Sequence, residues 1–260
     1  MSTRIRSFKI DTSADSMRQI AKIFFPKDSV GKYLSRNGHL NPVPARELAN
    51  ATGLFLQQVH ASPNIYVIED FLSGQEVDHI MQSKEFRKGF KKSFTDAATH
   101  LQNKVDSNRD SSFVWFGKMQ TSVIARIERR ASQLFGVTAD RVEPLQVVKY
   151  RPGQFFGRHH DMGVLFDDGS VELPERPPRR LTTIFVYLND VDPSNGGSTR
   201  FPGLVNEDGI PLEVFPKRGK AVVFCNITGE GTPDERTVHE GCPILQGVKY
   251  GMNIWTNDKR

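Results

Sequence analysis

Cysteine is scarce: Cys225 and Cys242 are the only two in 260 residues, too few for a disulfide framework. Neither stands at the spacing of a structural zinc site, so the pair suits a reducing compartment. Long apolar runs are also missing. Nothing approaches the roughly 18 consecutive apolar residues that a membrane-spanning helix requires. The opening MSTRIRSFKIDTSADS lacks the apolar centre of a secretory signal. These absences lead to the expectation of a cytoplasmic chain with no membrane partner. Charge of one sign is not in marked excess either, at a formal +5 and a pI near 9.2. Its basic residues gather in RKGFKK (87–92) and RPPRR (176–180), which read as solvated surface or as a site of attraction for acidic segments; nucleic acid is not indicated. Alternation of strands with helices is absent from the second half, which excludes a parallel doubly wound sheet.

What is present divides into a helical first half and a β-rich second half. Met17, Ile20, Ile23 and Phe24 recur at helical spacing and stop at Pro26. A second helix is predicted from Pro44 or Ala45 to Val59, with Leu48, Ala51, Phe55 and Val59 on one face. After a strand at 65–71, Ser73-Gly-Gln-Glu76 has the capping-box pattern that opens a helix. Residues 89–108 are polar and aperiodic, a surface excursion. A further helix is predicted over 121–135, with Gly136 placed to end it. From Pro144 on, strand candidates at 145–150, 154–161, 181–189, 212–215, 221–227 and 248–256 alternate with Gly, Pro, Asn and Asp turns. Such short strands with long returns imply two antiparallel sheets, a jelly roll in an α+β chain that is mainly β. Residues 162–180 form an insertion, read as a lid or as a surface loop.

The centre of this half is LQVVKYRPGQFFGRHHD (145–161). In extended backbone alternate side chains share a face, so His159 and Asp161 project together and His160 turns away. A third ligand is available from His239, beyond the apolar strand AVVFCNI. Two imidazoles and one carboxylate make the facial set that holds non-haem Fe(II) with positions left open. A bare His-x-Asp recurs by chance in turns and surface strands, so the triad needs other support. A strand over GVKYGMNIW sets Lys249, Gly251, Asn253 and Trp255 on one face, and an inward Lys249 requires an anion.

That support is a resemblance. NIYVIEDFLSGQEV, the RDSS at 109–112, LQVVKYRPGQ, His159-x-Asp161, LTTIFVYLNDV followed by GGSTRFP, and HEGCPILQGVKYGMNIW occur in an order similar to the prolyl 4-hydroxylases. These belong to the Fe(II)- and 2-oxoglutarate-dependent dioxygenases, and the likeness is to the plant and algal type. Phe156, Ser198 and Tyr250 depart from it, standing where relatives often have Tyr, Glu and Trp. The resemblance implies a double-stranded β-helix over 63–260 and a helical N-terminal extension, 1–62, packed on it. It implies Fe(II) on His159, Asp161 and His239, and 2-oxoglutarate with its distal carboxylate on Lys249. Tyr150, Thr183 and Trp255 match positions that help hold the co-substrate. O2 is the second co-substrate and L-ascorbate the accompanying reductant. Arg109, Phe156, Arg179 and Arg180 are candidate contacts to the substrate, a proline-containing polypeptide bound near the 89–112 and 162–180 segments. A sister activity on a free amino acid, a lysyl residue or an alkylated base is the alternative enzyme reading. A jelly-roll binding module without chemistry is the alternative from another class.

Overall fold

The structure is a computed structural model and describes residues 23–24, 46–49, 53–93, 109–174, 178–205 and 208–258. Most of the expected helix at 17–25 and of the 89–108 excursion lies outside these residues, as does Arg176. Ile23 and Phe24 are helical and buried in the main core.

The helix predicted over 44–59 is instead a β-hairpin, β1 (Arg46–Ala49) paired with β2 (Phe55–Ala61). Leu56, Gln58 and His60 alternate inward on β2, while Phe55 is 64% exposed. A period of two was therefore present but hidden, because two of its three inward residues are polar. Both find partners: Gln58 donates to the Asn64 side chain, and the His60 ring bonds the Pro63 carbonyl oxygen at 2.7 Å. β2 turns directly into β3 (Asn64–Ile68), whose five residues are all buried.

Two helices behave as their sequences require. Helix α1 (Gly74–Gln82) opens on the Ser73–Glu76 capping box, with reciprocal bonds of 3.2 and 3.0 Å. A short α2 (Lys84–Arg87) follows. Helix α3 (Ser122–Phe135) is capped by the Thr121 hydroxyl and ends on Gly136 at φ 63°, a left-handed residue where glycine carries no Cβ penalty. Arg130 of α3 forms a two-pronged pair with Glu76 of α1, and both helices cover one face of the large sheet.

The remaining strands are β4 (Lys91–Lys92), β5 (Ser112–Trp115), β6 (Gln146–Tyr150), β7 (Phe156–His159), β8 (Val164–Leu165), β9 (Val171–Glu172) and β10 (Arg180–Tyr187). After them come β11 (Thr199–Val205), β12 (Pro211–Val214), β13 (Ala221–Cys225), β14 (His239–Gly241) and β15 (Lys249–Asn257). Nine form one sheet in the order β1-β2-β3-β13-β10-β15-β6-β5-β4, and four form a second, β12-β11-β14-β7. Ladder pairs are antiparallel throughout, and the jelly-roll expectation holds. The large sheet is buried on both sides. Ile184, Val186, Val223, Met252 and Ile254 face the helices. Tyr187, Val222 and Phe224 face Phe201 and Val214 of the small sheet. The 162–180 insertion carries its own small hairpin, β8–β9. Among the described residues no helix is long and apolar enough to cross a membrane.

Candidate metal centre

The small sheet sets the site. β7 and β14 are neighbours, and His159 and His239 stand opposite each other in their register. Their rings lie 4.2 Å apart between centroids. The strand ends at His159, so Asp161 reaches the pair from the turn that follows rather than from the strand itself. His159 Nε2 is 3.6 Å from Asp161 Oδ1, and His239 Nε2 is 3.8 Å from Oδ2. One donor atom from each of the three residues falls within 4.8 Å of the others.

The second ring nitrogens determine which atoms are available. His159 Nδ1 lies 2.9 Å from the Gly157 carbonyl oxygen and His239 Nδ1 lies 3.0 Å from that of Thr237. A carbonyl only accepts, so each Nδ1 carries the proton and each Nε2 presents its lone pair toward Asp161. Burial, and then electrostatic coupling to the His239 ring, hold the His159 pKa well below its usual value. Burial pulls the other way on Asp161, but the adjacent His239 and His159 rings, the Arg180 guanidinium and the Thr183 hydroxyl keep its carboxyl well below the usual range. Neutral imidazoles and an ionised carboxylate, all converging, are the donor set a divalent metal requires.

His160 turns away as its position demands. Its Nε2 faces the Asp234 carbonyl oxygen and the Thr237 hydroxyl, both at 3.2 Å, and Met162 N–H donates to its Nδ1. It braces the turn that leads into His239. Burial lowers its pKa to about 4.

Lys249 is 1% exposed on β15, opposite Tyr150 of β6. Its Nζ sits 5.2 to 5.5 Å from the ring centres of Phe185, Tyr150 and Tyr187. No acidic side chain pairs with it among the described residues, and desolvation pushes its pKa down to about 7. The Gly196-Gly197 turn lies against its stem. A Cβ on Gly197 would fall 2.3 Å from Ile244 Cδ1 and 3.5 Å from Lys249 Cδ, and φ is +74°. The left-handed φ is what favours glycine there.

Known proteins are similar to this chain in sequence and fold. The description of the 2OG-Fe(II) oxygenase superfamily matches residues 145–257. Prolyl 4-hydroxylase 1 of Arabidopsis thaliana is 32% identical over 207 residues, 76% of this chain and 70% of that one. The chain belongs to the prolyl 4-hydroxylases. Prolyl 4-hydroxylase 2 of the same plant is 28% identical over 215 residues, spanning 77% of this chain and 69% of its own. The viral collagen prolyl hydroxylase of Paramecium Bursaria Chlorella virus-1, in its 2OG complex, superposes with a TM-score of 0.57 at 26% identity. That match covers 74% of this chain and 95% of the viral one.

Several of the residues named from the resemblance make contacts among themselves around the triad. Thr183 Oγ donates to Asp161 Oδ2 at 2.7 Å and Trp255 Nε1–H to the same oxygen at 3.1 Å. Both hold the carboxylate of the triad. Asn226, which sequence reasoning missed, donates to Thr183 Oγ at 3.0 Å and so aims that hydroxyl. Its signal was a buried amide at the end of an otherwise apolar strand. Arg180 lies 3.6 Å above the Trp255 ring and forms a two-pronged pair with Glu143, while Arg179 pairs with Asp258 at 3.5 Å. Arg109 and Phe156 meet beside the triad. The guanidinium is 4.4 Å from the Phe156 ring centre, and that ring stacks on His159 at 3.5 Å. Ser198, after the Gly196-Gly197 turn, donates to Glu213 of β12 at 2.7 Å.

Proposed function

We propose that this chain is an Fe(II)- and 2-oxoglutarate-dependent dioxygenase that hydroxylates prolyl residues within a polypeptide. One observation carries the reading. Two outward-facing imidazole lone pairs and an ionised carboxylate converge beside a buried lysine that has no acidic partner among the described residues. A divalent metal answers the first need and a dicarboxylate the second.

His159, Asp161 and His239 would hold Fe(II), which when bound supplies the activation of O2 that couples oxidation of 2-oxoglutarate to succinate and CO2 with hydroxylation of a C–H bond. The protein's own contributions are positional and electrostatic. Gly157 and Thr237 fix the imidazole tautomers. Thr183 and Trp255 fix the Asp161 carboxylate through Oδ2, which leaves Oδ1 directed to the His159 side. Lys249 pairs with the distal carboxylate of 2-oxoglutarate, and Tyr150, its cross-strand neighbour, lines the same space. The rings around Nζ exclude water and strengthen that pairing. Arg109 and Phe156 stand in a stack beside His159, next to the metal site where a prolyl residue would approach. L-Ascorbate serves as the reductant that keeps the metal ferrous.

The test incubates the protein with Fe(II), 2-oxoglutarate, O2 and a library of Pro-containing peptides, following succinate and hydroxyproline together. Matched formation of both is expected. Turnover of free proline with none of any peptide would exclude the peptidyl substrate.

A further inference from the structure

We propose that the two tryptophans form a relay that carries oxidising equivalents from the metal centre to the protein surface when 2-oxoglutarate is consumed without a bound peptide. The inference rests on the iron reading above. The sequence contains only two tryptophans, far apart, and the fold places them side by side. Trp115 on β5 pairs with Gln146 of β6, which pairs with Asn253 of β15, two residues before Trp255. The indole rings lie 6.2 Å apart at 49°. At the inner end the Trp255 N–H is bonded to Asp161 Oδ2 and the residue is 4% exposed. At the outer end Trp115 is 39% exposed. Carboxylate, indole, indole and solvent form one continuous path.

Solvation gives the path a direction. Trp255 is 4% exposed and Glu143 pairs with the Arg180 guanidinium above its ring, so an electron vacancy there meets little water. At Trp115 water both stabilises the vacancy and accepts the indole proton. The vacancy therefore moves outward. Phe113, 6.3 Å from Trp115, does not compete, because a phenyl ring is harder to oxidise than an indole.

The electrons balance as follows. Trp255 gives one electron to the oxidised centre, Trp115 restores it with one of its own, and the Trp115 indole then loses its N–H proton to water. A one-electron reductant of the ascorbate class returns an electron, and a proton is taken up with it. Two such passes, with two protons entering at the centre and its oxygen leaving as water, restore the ferrous ion. Without the reductant the centre draws its second electron from the Trp115 radical as well; water then adds to the oxidised indole with loss of a proton, and the residue becomes one oxygen atom heavier for each oxidising cycle.

The experiment loads wild type, Trp115→Phe and Trp255→Phe with Fe(II), 2-oxoglutarate and O2, without peptide or reductant, and follows succinate while mapping oxidised residues by mass spectrometry. Wild type should carry oxygen on Trp115, and added ascorbate should suppress it. Trp115→Phe, which keeps the packing, should hydroxylate peptide normally. Without peptide it should lose activity several-fold sooner per succinate formed, with oxidation shifted to Trp255 or Phe156. Trp255→Phe should spare Trp115. Met119, 42% exposed on the loop after Trp115, reports diffusible oxidants. Succinate formation with Trp115 unmodified would overturn the relay. So would Trp115 oxidation that persists in Trp255→Phe alongside equal oxidation of Met119. No succinate from wild type would overturn the iron reading itself, and the relay with it.

Discussion

Asp161 is the residue on which most of the site's contacts converge: two imidazoles, a hydroxyl and an indole N–H all approach its carboxylate. Replacing Asp161 or His239 by Ala should abolish metal retention and turnover together, which metal analysis of the purified variants reads directly. Thr183→Val is the more discriminating change. Lost orientation of a ligand lowers metal affinity by about tenfold to a hundredfold, whereas a contact to the co-substrate would raise the 2-oxoglutarate KM instead. The geometry predicts the first, measured by Fe(II) titration beside steady-state kinetics. Lys249→Met should do the reverse. Loss of a hydrogen bond to a charged group, about 1.5 to 3 kcal/mol, should raise the 2-oxoglutarate KM by tenfold or more and leave metal affinity close to wild type.

At the scale of elements, the lesson of β2 is that periodicity is read through side-chain polarity, and a strand that turns Gln58 and His60 inward does not look like one. Helices α1 and α3 were legible because their signals are local: a capping serine or threonine, a buried stripe, a terminal glycine. The β8–β9 hairpin was not, since two-residue strands carry too little pattern. Its closure depends on Gly163, where a Cβ would fall 2.0 Å from the Glu172 carbonyl oxygen. Backbone cannot yield as a side-chain tip can. Gly163→Ala should therefore open the hairpin, raising the peptide KM while succinate formation without peptide continues. Unchanged peptide kinetics would show that the hairpin takes no part in binding substrate.

For the whole molecule, the unpaired Lys249 links stability to pH. Its folded pKa is about 7 against an ordinary 10.5, so above about pH 7 the unfolded chain holds a proton that the folded one has released. Stability of the ligand-free protein should then rise with pH through this group. Denaturant midpoints compared between about pH 7 and 8, below most of the cysteine titration and all of that of tyrosine, should climb in wild type and stay flatter in Lys249→Met. Saturating 2-oxoglutarate with a metal should remove the effect by supplying the anion. Ligand at about a hundred times its Kd should also add about 2.7 kcal/mol of stability, reversed by a chelator and visible as a shift in Tm.

The sequence by itself determined the class of fold, the three metal-seeking residues and the inward lysine. Each of these is a local pattern or a motif whose chemistry survives without coordinates. Tertiary structure decided which partners those residues met. It closed β7 against β14 so that His159 faces His239, and it turned Thr183 and Trp255 onto Asp161. It occupied Arg179 and Arg180 with Asp258 and Glu143, and it brought Trp115 beside Trp255 across an intervening strand. The physical reason is the same in every case. A side chain's direction follows from local backbone, but its partner depends on register between strands far apart in the chain, and register is set by the packing of both sheets at once.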